Sequence, residues 1–157
     1  IMMASLRGIN EGGDQLWPMD LWDGYPGERQ QILEHLNATS TPNPIVLTGD
    51  IHSNWVADLK LDFDQTNSKI VGSEYIGTSI SSGGDGQDLT EYGENLLSNN
   101  PHVKFYNANR GYVAATLTPE LWRADYKVVP YITRKGAPIN IRKTFVTEAG
   151  RPGIQEA

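Results

Sequence analysis

Ile45-Val46-Leu47-Thr48-Gly49-Asp50-Ile51-His52 is the stretch on which the reading of this chain turns. Its first four residues are apolar or β-branched and predict a short buried strand, and Gly49 ends that strand where the backbone must turn sharply. A carboxylate and an imidazole follow at once. Delivery of Asp50 and His52 past the carboxyl end of a strand is the usual placement for ligands on an α/β sheet. With one residue between them, an extended backbone would turn both side chains to the same side.

Upstream, Pro26 opens a predicted helix at a position whose N–H has no intrahelical partner in any case. Ile32, Leu33 and Leu36 form its apolar stripe, Glu28 suits the first turn, and Asn37, Pro42 and Pro44 end it. Residues 1–24 read as irregular, anchored by Trp17, Trp22 and Asp23. Downstream, Trp55, Ala57, Leu59, Leu61 and Phe63 alternate with Val56, Asp58, Lys60 and Asp62, the period of a strand with one buried face. Ile70 to Ile76 is a further strand. A Ser/Gly loop runs from Thr78 to Gly86, and a helix spans about Leu89 to Ser98 with Thr90 or Asp88 at its cap. Val103 to Tyr106 opens a β region. Tyr112 to Thr118 and Leu121 to Val129 form a hairpin across Thr118-Pro119-Glu120, and Thr144 to Thr147 is strand-like. The class is α/β.

The chain has 157 residues, enough for a single core. Thirteen Lys and Arg against nineteen Asp and Glu leave a net charge of −6, which argues against a general nucleic-acid or anionic-membrane surface. There is no Cys, so disulfides, thiolate nucleophiles and cysteine-ligated metals are excluded within this segment. No apolar run approaches the roughly 20 residues that cross a bilayer. The opening Ile1-Met2-Met3 has neither a basic leader nor a long apolar block, and the chain reads as a piece of a longer protein.

Asp50 and His52 pair a hard carboxylate oxygen with a neutral imidazole, a donor set suited to iron, zinc or manganese, with calcium on the carboxylate side. Alone, the pair is two ligands, too few for a metal site, and a strand-end turn with a capped imidazole is the simpler reading. A triad of Asp50, His52 and Ser53 is disfavoured, because neighbours in an extended chain face opposite ways. No G-x-S-x-G and no phosphate-binding G-x-x-x-x-G-K-[ST] occurs. The Thr78–Gly86 loop could cradle an anion through backbone N–H groups, but contains no Lys or Arg, and a solvated connection is the simpler reading. The four Trp are read as core. His35 belongs on a helix surface, His102 in a turn bonded to backbone, and Arg110 in a salt bridge rather than beside an anionic substrate.

Several motifs together resemble the PhoD-like phosphatases. They are Trp22-Asp23-Gly24-Tyr25-Pro26 with Glu28-Arg29, Val46 through Trp55, Tyr75 through Gly84, and Asn100 through Phe105. Arg110 through Val113, Thr118 through Tyr126 and Phe145 through Gly153 continue the match in order. The resemblance implies the C-terminal part of a metallophosphoesterase-like α-β-β-α sandwich over residues 1–157, with mixed or antiparallel sheets and about two helices. It also implies iron and calcium, hydrolysis of phosphate mono- and diesters by the complete enzyme, and metal ligation by Asp50 and His52. No residue of this segment is expected to act as general acid. The family's earlier ligands, a Cys among them, would come from an N-terminal half, so the segment alone is expected to be inactive. Export by a twin-arginine signal, giving a secreted or periplasmic enzyme, follows from the same resemblance. The competing expectation is a non-catalytic β-rich module that binds a ligand or partner.

Overall fold

The computed structural model describes residues 2–157; Ile1, the first residue of the expected domain, lies outside them. A small hairpin, β1 (Gly8–Ile9) with β2 (Gln15–Leu16), precedes a 3-10 turn at Trp22–Gly24 and helix α1 (Pro26–Ala38). Strands β3 (Ile45–Thr48), β4 (Asn54–Lys60) and β5 (Ile70–Ile76) follow, then α2 (Glu91–Asn99) and β6 (Val103–Asn107). The chain ends in β7 (Arg110–Leu117), β8 (Leu121–Val129), β9 (Asn140–Glu148) and β10 (Arg151–Glu156).

Two four-stranded sheets result, one ordered β3-β5-β4-β6 and one β10-β9-β8-β7. The first is mixed, because β3 runs parallel to β5 while β4 is antiparallel to both its neighbours. The second is wholly antiparallel, and β7 and β8 are the predicted hairpin. The expected α/β class with two helices therefore holds.

Each face of the first sheet carries its own core. Trp55, Ala57 and Leu59 of β4 join Leu33 of α1, Leu96 of α2 and residues Met2 to Leu6 on one side. Val56 points the other way, into Tyr75, Phe105, Ala124, Tyr126 and Phe145 between the two sheets. Burying Leu33 completely contributes about 2 kcal/mol. Both helices thus share one side, giving a helix–sheet–sheet stack among the described residues.

Several local expectations need correction. All seven residues of β4 are buried, not alternate ones. The polar residues of its second face are covered because each has a partner: Asp58 accepts from Ile154 N at 3.0 Å, and the Lys60 ammonium donates to the Thr66 carbonyl at 2.6 Å. Conversely, β3 is an edge strand and not a buried one, with Leu47 61% exposed. On α1 the inward stripe is Arg29 and Leu33, four residues apart, while Ile32 faces outward. Of the Trp residues only Trp55 is fully buried, and Trp17 is exposed. Strand β10 was not anticipated.

The segment Met2–Arg7 has no strand partner, yet Met2 to Leu6 are buried. Side chains satisfy its backbone instead, as buried N–H and C=O groups require. Glu74 accepts from Met3 N and Ala4 N at 2.7 Å each, and Asp23 accepts from Leu6 N at 2.8 Å. Asn100 bonds both N–H and carbonyl of Arg7, and His102 Nε2 donates to the Ser5 carbonyl at 2.7 Å. Asp23 is in turn paired with Arg29 at 2.6 Å, so its anchoring role is confirmed, as is the backbone bonding of His102.

Candidate functional site

The parallel pairing of β3 with β5 brings two loops to one end of the sheet. Thr48 lies opposite Ile76, and Gly77 N donates to the Thr48 carbonyl at 3.0 Å. The turn Gly49–Ser53 and the loop Gly77–Thr90 therefore leave side by side. Strand β4 starts and β6 ends here too, with Asn54 paired to Asn107.

Asp50 and His52 both lie exposed on the first turn. The backbone between β3 and β4 is not extended as the spacing argument required: Asp50 has φ 74° and His52 φ 58°. Both occupy the left-handed region, which Asp and His tolerate better than most side chains but which still costs energy. Two such residues within three positions are held by their surroundings, a pattern that clusters at functional sites. Next in the chain, Ser53 is buried; its hydroxyl accepts from Trp55 Nε1 at 2.7 Å and faces the Ile51 carbonyl at 3.4 Å. Ser53 thus braces the turn, although the extended backbone on which the case against an Asp50, His52 and Ser53 triad rested is not present. Asp50 and His52 have no hydrogen-bond or ion-pair partner among the described residues.

The second loop is fastened at several points. Asn54, almost wholly buried, accepts from Thr78 N and donates to Asn107 Oδ1, each at 3.1 Å. Asn107 reaches Asp88 at 2.8 Å, and Arg142 clamps Asp88 with two bonds. That guanidinium holds the Asp88 carboxyl below the usual range. Asp85 accepts from Ile132 N and Thr133 N, and these bonds lower its pKa likewise.

Arg110 crosses beneath this loop. Its guanidinium donates to Ser79 Oγ and the Ser82 carbonyl, both at 2.6 Å, and to the Ala108 carbonyl. No carboxylate stands within ion-pair distance of it among the described residues, so the salt bridge expected for Arg110 is not formed. Burial depresses its pKa. The loop that contains no cation of its own is folded around one from β7.

The other His residues are elsewhere. His35 is exposed on α1, and His102 lies at the start of β6, whereas the site end of that strand is Asn107. Among the described residues no group of three or more His, Asp or Glu side chains could hold a metal ion. Two grooves of about 680 Å³ flank the β1–β2 hairpin, and neither includes Asp50 or His52. Sequence reasoning missed Asn54, Thr78 and Asn107 as parts of this sheet end. Asn54 carried a usable signal: it opens a strand of alternating apolar residues immediately after the turn.

Comparison with known proteins identifies relatives of this chain and of its fold. Over 141 residues, 90% of its length, the chain is 43% identical to alkaline phosphatase D of Bacillus subtilis (strain 168), of which it covers 24%. It superposes on a solved structure of PhoD with a TM-score of 0.93 and 40% identity, over all of this chain and 30% of that one. The chain thus spans 24% to 30% of the length of these relatives. No helix among the described residues is long and apolar enough to cross a membrane. Residues 1–126 match the family model of the PhoD-like phosphatases, and with these likenesses the chain belongs to that family.

Proposed function

We propose that the whole gene product is a metal-dependent phosphoesterase acting on phosphate mono- and diesters, and that Asp50 and His52 supply two of its metal ligands. The observation that carries this reading is the exposed turn at the carboxyl ends of two parallel strands, where both residues hold a left-handed backbone. Carboxylate and imidazole suit iron, with calcium favoured by the carboxylate, and the resemblance to the family points to both metals. In kind the donors fit; in number they fall short of the four or more that such ions take. The remaining ligands would come from outside residues 1–157, and the segment by itself would have little activity.

A bound cation in such a site lowers the pKa of a coordinated water and neutralises phosphoryl oxygens. The chain's own contribution is positional. Ser53 and Trp55 fix the turn, so Asp50 and His52 are presented without a reorganisation cost at the moment of binding. Asn54 ties the neighbouring loop to the same strand end. Family membership is also the support for export to a secreted or periplasmic location.

The test is Asp50→Asn in the metal-loaded whole gene product, with p-nitrophenyl phosphate and bis-p-nitrophenyl phosphate as substrates. Hydrolysis of both should fall by at least about a hundredfold, with iron and calcium content reduced. Undiminished turnover would remove Asp50 from the site. A stably folded wild-type product without metal or turnover would favour the non-catalytic binding module.

A further inference from the structure

We infer that the groove between the β1–β2 hairpin and α2 docks a segment of the same gene product from outside residues 1–157, one whose apolar face is flanked by Lys or Arg. This stands apart from the phosphoesterase reading, because neither Asp50 nor His52 lines the groove.

The groove encloses about 680 Å³. Leu96 of α2 is buried at its base, and the hairpin rests there: a Cβ added at Gly8 would meet Leu96 Cδ2 at 3.8 Å. Ile9, Leu16, Trp17 and Tyr92 stand around it with 39%, 53%, 41% and 57% of their surface open. Large apolar side chains gathered on one concavity mark an interaction site, whereas the same residues scattered singly would need no explanation. Trp and Tyr are also the types that contribute most to binding once enclosed. The wall is preformed, since Asp14 N donates to Asn10 Oδ1 at 2.8 Å and Asn10 N to the Asp14 carbonyl at 3.0 Å. Yet a hairpin of two-residue strands paired only with each other is marginal in water, so a cover on its open side stabilises it.

The rim sets the chemistry of the occupant. Glu11 and Glu91 line the groove, and among the described residues no Lys or Arg does. Neither carboxylate has a hydrogen-bond or ion-pair partner among the described residues. Burial raises the Tyr92 pKa, and Tyr106 and then Asp20 add to it, so a third carboxylate acts on the same place. A negative rim around an apolar floor selects a segment with cations beside its apolar residues. The polar residues of the lining are all exposed or half-buried, so no enclosed donor or acceptor is built in for a small molecule.

The source of the segment follows from length. Relatives are more than three times as long as this chain, which covers 24% to 30% of them. A segment tethered to the groove is present at an effective concentration on the order of millimolar, well above that of a separate protein. A groove of modest affinity is therefore filled from its own polypeptide first.

The experiment is hydroxyl-radical footprinting of the purified whole gene product, read residue by residue by mass spectrometry, with its mass in solution measured on the same sample. Trp17 and Tyr92 should be oxidised as slowly as the buried Trp55 and Tyr126, in a monomer and at every dilution. Glu91→Lys sets a like charge against the basic flank and should speed oxidation of Trp17. Tyr92→Asp should do the same and lower the melting temperature by at least about 3 °C, although an aspartate in the first turn of α2 is favourable by itself. Oxidation of Trp17 and Tyr92 as fast as in the urea-unfolded chain overturns the inference. Protection that vanishes on dilution also overturns it, placing a second copy in the groove. Protection undiminished in Glu91→Lys overturns the basic character of the occupant.

Discussion

Acidification should cost this fold stability through one imidazole, and the size of the effect follows from its surroundings. His102 is 3% exposed, packs against Phe63 with ring centroids 4.8 Å apart, and donates Nε2–H to the Ser5 carbonyl. Burial is the main cause that pushes its pKa down to about 4, and Lys60 and Lys104 lower it further against the opposing pull of Ser5 and Asp23. An unfolded imidazole titrates near 6.5. Between these values the unfolded chain takes up a proton that the folded chain refuses, so stability falls as pH drops through 6.5 and levels off near 4. A separation of about 2.5 units at 1.36 kcal/mol each sets a ceiling of about 3 kcal/mol. The buried carboxyls Asp58 and Glu74, both raised by desolvation, work in the opposite sense, since protonation relieves them. The variant His102→Gln isolates the imidazole, because its amide still offers a donor toward Ser5 but cannot charge. Urea denaturation of parent and variant from pH 7.5 to 4 should show the parent losing about 3 kcal/mol relative to the variant, or about 1.5 M in midpoint for a slope near 2 kcal/mol per molar. Parallel curves would refute the assignment of a desolvated, neutral His102.

Two further substitutions probe the scaffold. Glu74→Ala strands the Met3 and Ala4 N–H groups and should destabilise by about 3–5 kcal/mol in the same denaturation assay, a loss under 1 kcal/mol counting against the docking of residues 2–6 on Glu74. Gly93→Ala drives a methyl into the Tyr106 ring, whose hydroxyl bonds the N-cap Thr90 at 2.7 Å, and should cost about 1–3 kcal/mol. By contrast, Gly27→Ala, at an open position of α1, should stabilise by about 0.5–1 kcal/mol, and thermal melts of the two variants should move in opposite directions.

Periodicity located most elements because most of them obey it. Ile70–Ile76, the α1 start at Pro26 and the Thr90 cap, which accepts from Gly93 N at 2.9 Å, were all legible. What failed was the environment of each face. In β4, Asp58 and Lys60 are polar and so looked solvent-facing; they are covered because β10 brings Asp58 a partner from 96 positions away and the adjacent Gln65–Thr66 turn folds back onto Lys60. In β3 the apolar run suggested burial, but order within the sheet left it at an edge, which no local pattern encodes. Strand β10 contains Pro152 and Gly153, residues that weaken any strand signal. At the candidate site the residue types at 50 and 52 were readable, whereas their left-handed backbone and the encounter of Arg110 with Ser79 across 31 positions required the folded chain.

The side-chain cradle around Met2–Arg7 bears on the order in which the molecule assembles. Its receptors, Asp23, Glu74, Asn100 and His102, sit on three stretches separated by up to 79 positions, counted from Asp23 to His102. A loop that long must close before any reward is collected, and the slot does not exist until the mixed sheet and the β6 corner are in place. Insertion of this peptide is therefore a closing event of folding, a bolt slid home after the door is hung. Its amides should be the last to gain protection from hydrogen exchange and among the first to lose it.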